Sequence, residues 1–513
     1  MKTMLFPEQN KAATDTFDLH GKRLLIFIVA YNAETTIEKV LSRIPASLHT
    51  PNVEVLIIDD SSKDKTFQQG LRYEQGRPPF KITILRTPVN QGYGGNQKLG
   101  YRYAIDHGFD IVALVHGDGQ YAPEKLPALL EPLVRGEADA VFGSRMIDKR
   151  AARSGGMPAH KWLGNQVLTR FQNALLGTAL SEFHSGYRLY STAALAQIPF
   201  EKNTGDFHFD TEIIIQFVLK KLRIAELPIP TFYGDEICHV NGMKYAWDVF
   251  RTTIKARLCG IHLFYDRKFD VNPEAAAHSD KLGFASSQTF AVEACPAGHD
   301  VLQLAMGHAN VAAELRRKNC RVDAIDFAAN EIAEGAVNPA LAPQLPAQIS
   351  QYQQILLIDL IEHLHDPETF MDELRRRMGG QRPEVIITAA NVAFFVTRAM
   401  LALGQFNYSR KGILGLGHRR LFTFQSLRAL LEQSGYEVLE ECGVPAPFPL
   451  ALGTNRWSRG LLALNRALIK ISKTLFAYQV CFRARALPDS RHLLKETIAS
   501  SESLRAEFLD RVA

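Results

Sequence analysis

Short apolar runs that each end in polar residues are the feature that most constrains the fold of this chain. A run of this kind, bounded by turn residues, is typical of a strand buried on both faces. In the first half of the chain such runs alternate with stretches of helical spacing, which predicts an α/β fold with a parallel, doubly wound sheet. The runs occupy residues 24–29, 53–58, 82–85 and 111–115.

Polar side chains follow three of these runs, at the point where each predicted strand ends. Because the carboxyl ends of parallel strands share one edge of a sheet, where ligands bind, we expect these side chains to meet in one site. Acidic groups brought together repel one another unless a cation or hydrogen-bond donors lie between them, which favours a nucleotide and a divalent metal ion. The alternatives are an Asp-Gly turn at Asp118 and a helix N-cap at Asp59. The side chains are Tyr31 and Glu34, Asp59 and Asp60, and His116, Asp118 and Gln120.

Six motifs in this half resemble those of the family 2 glycosyltransferases of the GT-A fold. They look most like the branch that contains dolichyl-phosphate and polyprenyl-phosphate sugar transferases. The resemblance is specific because all six motifs occur in the family's order. They are VAYNAETT at 29–36, IIDDSSKDKT at 57–66, NQGYGGNQKLGY at 90–101, HGDGQYAPE at 116–124, FGSR at 142–145 and SGYRLYS at 185–191.

This resemblance implies a nucleotide-sugar donor and a divalent metal ion, Mn²⁺ or Mg²⁺. The family usually has an aspartate at the position of His116, and a neutral imidazole suits Mn²⁺ better than Mg²⁺. Whether His116 binds the metal therefore stays open. The implied nucleotide-sugar residues are Tyr31, Glu34, Asp59, Asp60, Gly94 and Asp118, and the implied metal ligands are Asp118, Gln120 and His116.

Basic and acidic residues further along the chain predict the acceptor side of the site. The stretch from Arg145 to Lys161 lacks apolar periodicity, which predicts a mobile loop that closes over phosphates or a solvated basic loop. Arg188 lies in SGYRLYS, a motif that by resemblance faces the acceptor, and arginine suits phosphate. Asp210 and Glu212 precede an apolar helix, where they act as a general base or complement the helix dipole.

Two acceptor classes fit these residues. A sugar hydroxyl needs a base, Asp210 or Glu212, to take its proton, whereas a lipid monophosphate is already an anion and needs only positive groups such as Arg188. The resemblance implies inversion at the anomeric carbon, with the metal on Asp118 stabilising the departing nucleoside diphosphate. We therefore expect Asp118, Arg188, Asp210 and Glu212 to be the catalytic residues.

The second half of the chain predicts another α/β domain, in which Asp366 caps a helix that begins at Pro367. It resembles the class I methyltransferases that use S-adenosylmethionine, through its strand pattern, IDLIEHLHDPETF at 358–370 and HRRLFTFQSLRALLEQSGYEV at 418–438. The resemblance implies a cofactor site at Gly307, Asp326 and Asp359.

The glycine-rich loop of that cofactor site departs from the family pattern. Gln303, Ala305 and Ala309 stand at three of its four characteristic positions, and only Gly307 matches. The lost glycines would have let the backbone approach the cofactor closely. Two interpretations stay open: an active methyltransferase, or a retained fold that serves docking or assembly.

Charge and composition limit the partners and the compartment. A formal net charge of +5 over 513 residues argues against a nucleic-acid partner. The sequence shows no secretory signal, no apolar run long enough to span a bilayer and no C-x-x-C pair. These features favour a cytoplasmic protein. Peripheral contact at the cytoplasmic face of a membrane is compatible with them. Residues 461–487 fit an amphipathic helix on an anionic membrane or, as we favour, a packed helix and strand.

The sequence therefore predicts a nucleotide-sugar-dependent glycosyltransferase joined to a methyltransferase-like domain. The expected task is transfer to a lipid phosphate or a glycan in cell-envelope glycan synthesis. Transfer to a soluble sugar or small molecule is the alternative, and a scaffold with decayed sites is the non-enzymatic one. The predicted boundaries are 1–20 for an N-terminal extension, 21–258 for the GT-A domain, 259–285 for a linker and 286–513 for the methyltransferase-like domain.

Overall fold

The computed structural model divides the chain into two compact units, here called the first and second domains. The first comprises Met1–Cys259 with Asp266–Pro273, and the second comprises Gly260–Tyr265 with Glu274–Ala513. Each is built on its own sheet. The structure describes residues 4–5, 16–231, 241–260, 265–271, 281–306, 309–327, 345–346, 349–378, 380–410, 412–488, 492–494, 497–498 and 500–501.

The sheet of the first domain consists of apolar strands that are buried because helices cover both faces. Its strands are β1 (Met4–Leu5), β2 (Leu24–Ala30), β3 (Val53–Asp59), β4 (Lys81–Arg86), β5 (Ile111–His116), β6 (Ala140–Ser144), β7 (Arg188–Ser191) and β8 (Ile224–Pro228). Their order across the sheet is β1-β8-β6-β7-β5-β2-β3-β4. The predicted α/β class is confirmed.

Strand β7 runs against its neighbours, although the apolar pattern predicts a fully parallel sheet. It pairs antiparallel with β5 and β6, whereas β2 pairs parallel with β3 and β5. Arg188, its first residue, pairs with Leu114 and Phe142 towards the carboxyl ends of β5 and β6. The chain after β6 therefore stays at the carboxyl edge of the sheet and enters β7 from that side.

Helices connect these strands, and two of them occupy a stretch predicted as a loop. The helices are α1 (Ile37–Ser42), α2 (Thr66–Gln75), α3 (Tyr93–Asp106), α4 (Leu126–Val134), α5 (Lys149–Ser154), α6 (Ala159–Leu176), α7 (Thr192–Leu195), α8 (Phe209–Lys220) and α9 (Gly242–Gly260). Asp148 caps α5 by accepting the backbone N–H groups of Arg150 and Ala151, each at 3.0 Å. The prediction of a loop from Arg145 to Lys161 is therefore wrong. Most of the stretch is helical, but it lacks the apolar periodicity from which a helix is predicted.

The second domain contains a mixed sheet. Its strands are β9 (Asp300–Ala305), β10 (Arg321–Asp326), β11 (Gln354–Ile358), β12 (Glu384–Ala390), β13 (Tyr436–Val444) and β14 (Gln479–Ala486). Their order across the sheet is β10-β9-β11-β12-β14-β13. Strand β14 is antiparallel to β12 and β13, and the other pairs are parallel. The helices are α10 (Ser287–Ala294), α11 (Ala309–Arg317), α12 (Pro367–Arg377), α13 (Phe395–Ala402), α14 (Phe424–Gln433), α15 (Phe448–Leu452), α16 (Arg456–Ile471) and α17 (Lys473–Phe476).

Local signals place two elements of the second domain where the sequence predicts them. Asp366 caps α12 by accepting the backbone N–H of Thr369 at 3.0 Å, and Pro367 is its first residue. Residues 461–487 form most of α16, all of α17 and strand β14, so the segment contains both a helix and a strand. Among the described residues, no helix combines the length and the apolar character needed to cross a membrane.

Candidate active site

The carboxyl ends of β2, β3 and β5 open into a cavity of about 1240 Å³ in the first domain. Predicted residues from all three strand ends line it, namely Tyr31, Asp60, His116, Asp118 and Gln120. Residues of α6, α9 and the segment before α8 form much of the remaining wall. The structure thus brings together the three polar strand ends that the sequence places at one edge.

Of the two aspartates at the carboxyl end of β3, Asp60 lines the cavity and Asp59 does not. Asp60 Oδ1 accepts hydrogen bonds from the backbone N–H of Gln91 at 2.8 Å and from the hydroxyl of Thr87 at 3.0 Å. Asp59 is fully buried and lies 3.4 Å from the guanidinium of Arg86. We therefore correct the prediction for Asp59, which supports the strand end from inside the fold and cannot reach a nucleotide.

Asp118 lies in a turn and is also exposed to the cavity. The backbone N–H of Gln120 donates to Asp118 Oδ1 at 3.0 Å, and Gly119 between them has a φ of +79°, a conformation that favours glycine. The turn uses one carboxylate oxygen and holds the other in a fixed direction. The two interpretations of this motif, a turn and a ligand site, are therefore compatible.

Behind Asp118, a hydrogen-bonded chain links His116 through Tyr93 to Asp210. The Tyr93 hydroxyl donates to Asp210 Oδ2 at 3.0 Å and lies 3.2 Å from His116 Nε2. Because the hydroxyl has only one proton, His116 Nε2 carries the proton of the second bond and donates it to Tyr93. Burial lowers the pKa of His116, although Asp118 and Asp210 counteract it, and the imidazole is neutral at pH 7.

Gly186 allows this imidazole to sit where it does. A Cβ atom at Gly186 would lie 2.6 Å from Nε2 of His116 and 3.0 Å from the Tyr93 hydroxyl. The ring of Tyr121 contacts the imidazole edge-on, with 4.9 Å between ring centroids. His116 is thus enclosed on several sides, and its Nε2 is hydrogen-bonded to the Tyr93 hydroxyl.

Arg188 lies in the interior, so the prediction that it binds the acceptor phosphate is wrong. Only 1% of it is exposed, and it is not among the residues that line the cavity. Its guanidinium donates to the carbonyl oxygens of Ser185 (2.7 Å) and Phe183 (2.8 Å) and lies 3.9 Å from Asp210 Oδ2. Arg188 therefore lies on the buried side of Asp210 and helps to position it.

Arg145 lines the cavity and is paired with a buried carboxylate. Its backbone N–H donates to Glu182 Oε2 at 2.7 Å, its guanidinium donates to Oε1, and Asn165 Nδ2 also donates to Oε1 at 2.7 Å. Burial alone would raise the pKa of Glu182, but Arg145 and these hydrogen bonds outweigh burial and lower it. Arg145 is therefore rigidly positioned at the cavity, and Lys161 of α6 lines the same wall.

Three further predicted residues lie away from the cavity lining. Glu212 is 1% exposed and bonded to the backbone of Thr204 and the ammonium of Lys268, both at 2.6 Å, so it cannot serve as the base. Glu34 accepts the backbone N–H of Lys65 at 3.1 Å. Gly94 is required for packing, since a Cβ there would lie 2.6 Å from a backbone oxygen.

In the second domain, Asp359 is fully engaged by its surroundings. Oδ1 accepts hydrogen bonds from Thr388 (2.8 Å) and Gln479 (2.9 Å), and Oδ2 lies 3.2 Å from the Ser287 hydroxyl and 3.5 Å from the Lys281 ammonium. Asp326 is exposed at the end of β10. Gly307, the third predicted cofactor residue, lies outside the described residues.

Both halves of the chain match known protein families. The family model for glycosyl transferase family 2 matches residues 25–198. A methyltransferase domain model matches residues 278–441. The chain joins a family 2 glycosyltransferase domain to a methyltransferase domain. The first domain is accordingly a transferase enzyme, as the sequence motifs predict.

Two curated relatives of the glycosyltransferase domain have names that specify a lipid phosphate. A UDP-N-acetylglucosamine–dolichyl-phosphate N-acetylglucosaminyltransferase of Methanococcus voltae is 28% identical, over 42% of this chain and 87% of the relative. An undecaprenyl-phosphate mannosyltransferase of Micrococcus luteus is 27% identical, over 42% and 85%. Among solved structures, glucosyl-3-phosphoglycerate synthase of Mycobacterium tuberculosis with Mn²⁺ and uridine diphosphate is 18% identical, covering 52% of this chain and 92% of that one, with a TM-score of 0.36.

Sequence reasoning missed several residues in and behind the lining of the glycosyltransferase cavity. Tyr93 and Gln97 of α3 both donate to Asp210, and His184 bonds the Tyr245 hydroxyl of α9 at 2.9 Å. Tyr93 lies inside a motif that we quoted for the resemblance, but its role depends on a contact with a residue 117 positions away. Only the tertiary structure brings these groups together.

Proposed function

We propose that the glycosyltransferase domain moves a sugar from a nucleoside-diphosphate donor to a polyprenyl-type lipid phosphate, with inversion and with a divalent metal ion, in the synthesis of a cell-envelope glycan. The observation that carries this proposal is the two-sided cavity. Acidic strand ends line one wall, while basic side chains line the other and an exposed apolar surface adjoins it. The acceptors named for the two curated relatives are dolichyl phosphate and undecaprenyl phosphate, which agrees with this layout.

The donor wall fits a divalent cation at Asp118 and Gln120. The turn uses one oxygen of Asp118, and the Gln120 side chain offers an amide oxygen beside it. Oxygen ligands suit both Mg²⁺ and Mn²⁺. His116 is bonded to Tyr93, so we assign it to the support of the site and not to the metal. When bound, the metal would stabilise the negative charge of the departing diphosphate.

The nucleoside would lie between Tyr31 and Asp60. Tyr31 is 43% exposed and lines the cavity, so its ring is accessible for stacking. The carboxylate of Asp60 is already fixed through Oδ1, which leaves Oδ2 to accept from a base N–H or a ribose hydroxyl. Glu34 and Asp59 are not part of this proposal.

The acceptor wall fits a phosphate at Arg145 and Lys161. Both side chains line the cavity, together with His160 at the start of α6. The pairing of Arg145 with Glu182 fixes its orientation before any ligand arrives, which lowers the entropy cost of binding. A phosphate acceptor is already anionic, so these residues need only hold it.

An exposed apolar surface, here called the acceptor strip, adjoins this wall. On α9, Met243, Trp247 and Phe250 are 87%, 62% and 36% exposed, and Met243 also lines the cavity. Their spacing of four and three residues puts them on one face of the helix. On α6, Leu163 and Val167 are 57% and 55% exposed.

Aromatic contacts make the acceptor strip continuous from one helix to the other. Phe171 of α6 stacks on Phe250 with 4.8 Å between ring centroids, and Phe250 stacks on Trp247 at 5.7 Å. An exposed apolar surface of this kind marks a binding site. A surface that starts at a phosphate-sized basic wall suits the hydrocarbon tail of a lipid phosphate, and a soluble sugar acceptor would leave it uncovered.

In the proposed reaction, an acceptor phosphate oxygen attacks the anomeric carbon as the bond to the nucleoside diphosphate breaks, and the diphosphate leaves with the bonding electrons. Arg145 and Lys161 hold the acceptor oxygen in line with that bond. Asp210 does not need to take a proton from a phosphate. Its role is to orient Tyr93 and, through it, His116 behind the donor wall.

A transfer assay with three acceptors tests this function. The full-length protein is incubated with Mn²⁺ and a panel of labelled nucleotide sugars, and with undecaprenyl phosphate, a two-isoprene-unit phosphate or 3-phosphoglycerate. We expect label to enter the organic phase with both isoprenyl phosphates and no transfer to 3-phosphoglycerate. Transfer to 3-phosphoglycerate alone would contradict the proposal and favour a soluble acceptor.

For the second domain, the described residues support the retained-fold interpretation over cofactor binding. A carboxylate has about four acceptor sites, and Asp359 already meets four polar partners. Asp326 alone, of the predicted residues that the structure describes, is accessible. Isothermal titration of the folded protein with S-adenosylmethionine tests this, because a measurable binding heat would restore the methyltransferase interpretation.

A further inference from the structure

Helix α16 of the second domain turns its apolar side chains towards solvent. Trp457, Leu461, Leu464 and Ile471 are 82%, 37%, 56% and 77% exposed. They are spaced by four, three and seven residues, so they form one stripe along the helix. A helix on the surface of a soluble domain normally buries such a stripe against the core.

The side of α16 that packs on the domain is instead partly polar. Ser458 and Asn465 are buried there, next to Leu462. Asn465 accepts the backbone N–H of Ala446 at 2.8 Å and donates to the carbonyl oxygen of Phe476 at 2.9 Å. These bonds to backbone groups fix the rotation of the helix, so the outward direction of its apolar stripe is built into the fold.

Basic residues share the exposed arc of α16 with the apolar stripe. Arg456, Arg459, Arg466 and Lys470 are all exposed, and residues 456–471 contain no aspartate or glutamate. At 100° per residue, Gly460 and Ala467 separate the basic side from the apolar side. The preceding helix α15 adds Leu450 and Leu452, which are 48% and 41% exposed.

We propose that α15 and α16 dock the second domain on an anionic phospholipid surface. The apolar stripe would enter the boundary between headgroups and acyl chains, and the four cations would lie among the phosphate groups, as in other interfacial helices. Charge complementarity favours this occupant, because a second copy of the chain would bring four identical positive charges to the same contact. The proposal concerns a different domain from the transfer reaction and does not depend on it.

Vesicle co-sedimentation of the full chain tests this docking surface. Wild type is compared with a variant that carries Leu464→Gln and Arg466→Gln, on vesicles of phosphatidylglycerol or of phosphatidylcholine. We expect wild type to bind phosphatidylglycerol, less so in high salt, and the variant to bind about ten-fold more weakly. A matched control with Leu439→Gln and Arg317→Gln makes the same changes elsewhere on the second domain, and we expect it to bind as wild type does.

Three outcomes would overturn the proposal. The first is equal binding of wild type and the α16 variant, with thermal unfolding showing both to be folded. The second is equal binding to both kinds of vesicle. The third is a change from dimer to monomer in the α16 variant without vesicles, by analytical ultracentrifugation, since it would assign the stripe to a second copy. The α16 variant should still transfer sugar to the two-isoprene-unit phosphate in detergent. This activity distinguishes a failure of membrane docking from a failure of the proposed function.

Discussion

His116, Tyr93 and Asp210 form a hydrogen-bonded chain whose contacts determine what each side chain contributes to the site. The Tyr93 hydroxyl donates a hydrogen bond to Asp210, so His116 donates in turn to Tyr93. Arg188 closes the chain from the buried side, 3.9 Å from Asp210. At the scale of single residues, we propose that this hydrogen-bonded network positions the groups around Asp118 and does not itself bind the metal.

Replacing His116 distinguishes a role in positioning the site from a role in binding the metal. His116→Gln keeps a hydrogen-bond donor but changes its reach, so we expect transfer to fall about ten-fold through a looser Tyr93. The ratio of rates with Mn²⁺ and Mg²⁺ should stay as in wild type, because we propose that the metal binds Asp118 and Gln120 and not His116. A marked change in that ratio would show that the imidazole binds the metal.

Asp210 and Glu212, the two predicted candidate bases, should respond differently to replacement by the corresponding amide. Glu212→Gln breaks a buried pair with Lys268, so we expect a loss of about 3 kcal/mol in stability and little change in the turnover of folded protein. Asp210→Asn should lower turnover, because one of the two oxygens that accept hydrogen bonds from Tyr93 and Gln97 is replaced by a donor. Urea unfolding and steady-state kinetics on both variants check this, and a Glu212→Gln protein of normal stability that cannot turn over would refute it.

The buried imidazole of His184 makes the first domain sensitive to acid. Burial, together with the nearby charges of Arg188 and Arg145 and against the opposing effect of Glu182, lowers its pKa to about 4. Since the unfolded chain binds a proton near pH 6.5 and the folded domain does so only near pH 4, stability is lost as pH falls through this interval, by at most about 3 kcal/mol. His184→Gln should flatten this part of the pH profile of urea unfolding, whereas His160→Gln, at an exposed position, should not.

At the scale of elements, we propose that α6 and α9 determine which acceptor the cavity binds. Their apolar residues form the acceptor strip, and Arg145 and Lys161 stand at its inner end. Periodicity does not single out these helices, because their apolar residues lie on the exposed side. The sequence therefore predicts a loop where α5 and the start of α6 stand.

Comparing a long and a short acceptor should show how much the acceptor strip contributes to acceptor binding. Trp247→Gln removes the largest exposed ring of α9, so we expect the KM for undecaprenyl phosphate to rise about ten-fold while that for the two-isoprene-unit phosphate stays unchanged. Leu99→Gln, at a 43% exposed position on α3, is the matched control. Equal effects on both acceptors would argue against a tail-binding surface.

At the scale of the whole molecule, the sequence predicts what local patterns encode. The apolar runs at 24–29, 53–58, 82–85 and 111–115 correspond to β2, β3, β4 and β5, and Asp366 with Pro367 marks the start of α12. The edge that collects Tyr31, Asp60 and Asp118 follows from the parallel order of β2, β3 and β5. These features need no knowledge of distant contacts.

What the sequence could not provide depends on pairs that are far apart in the chain. Arg188 looks like a phosphate ligand until its contact with Asp210 and its burial are known. Glu212 looks like a base until Lys268 is found beside it. Each of these side chains is fully buried, and burial of a charged residue cannot be read from its own neighbours in sequence.

The most direct test of the central claim is a thermal-shift measurement with nucleoside diphosphates. The full-length protein is heated with UDP or GDP, each without metal and with Mn²⁺ or Mg²⁺. We expect one nucleotide to raise the unfolding midpoint by several degrees, and more with metal, since ligand at one hundred times Kd stabilises by about 2.7 kcal/mol. Asp118→Asn should abolish the extra shift from metal. If neither these nor other nucleoside diphosphates or nucleotide sugars stabilise the protein, with or without metal, the claim of a nucleotide-sugar site is contradicted.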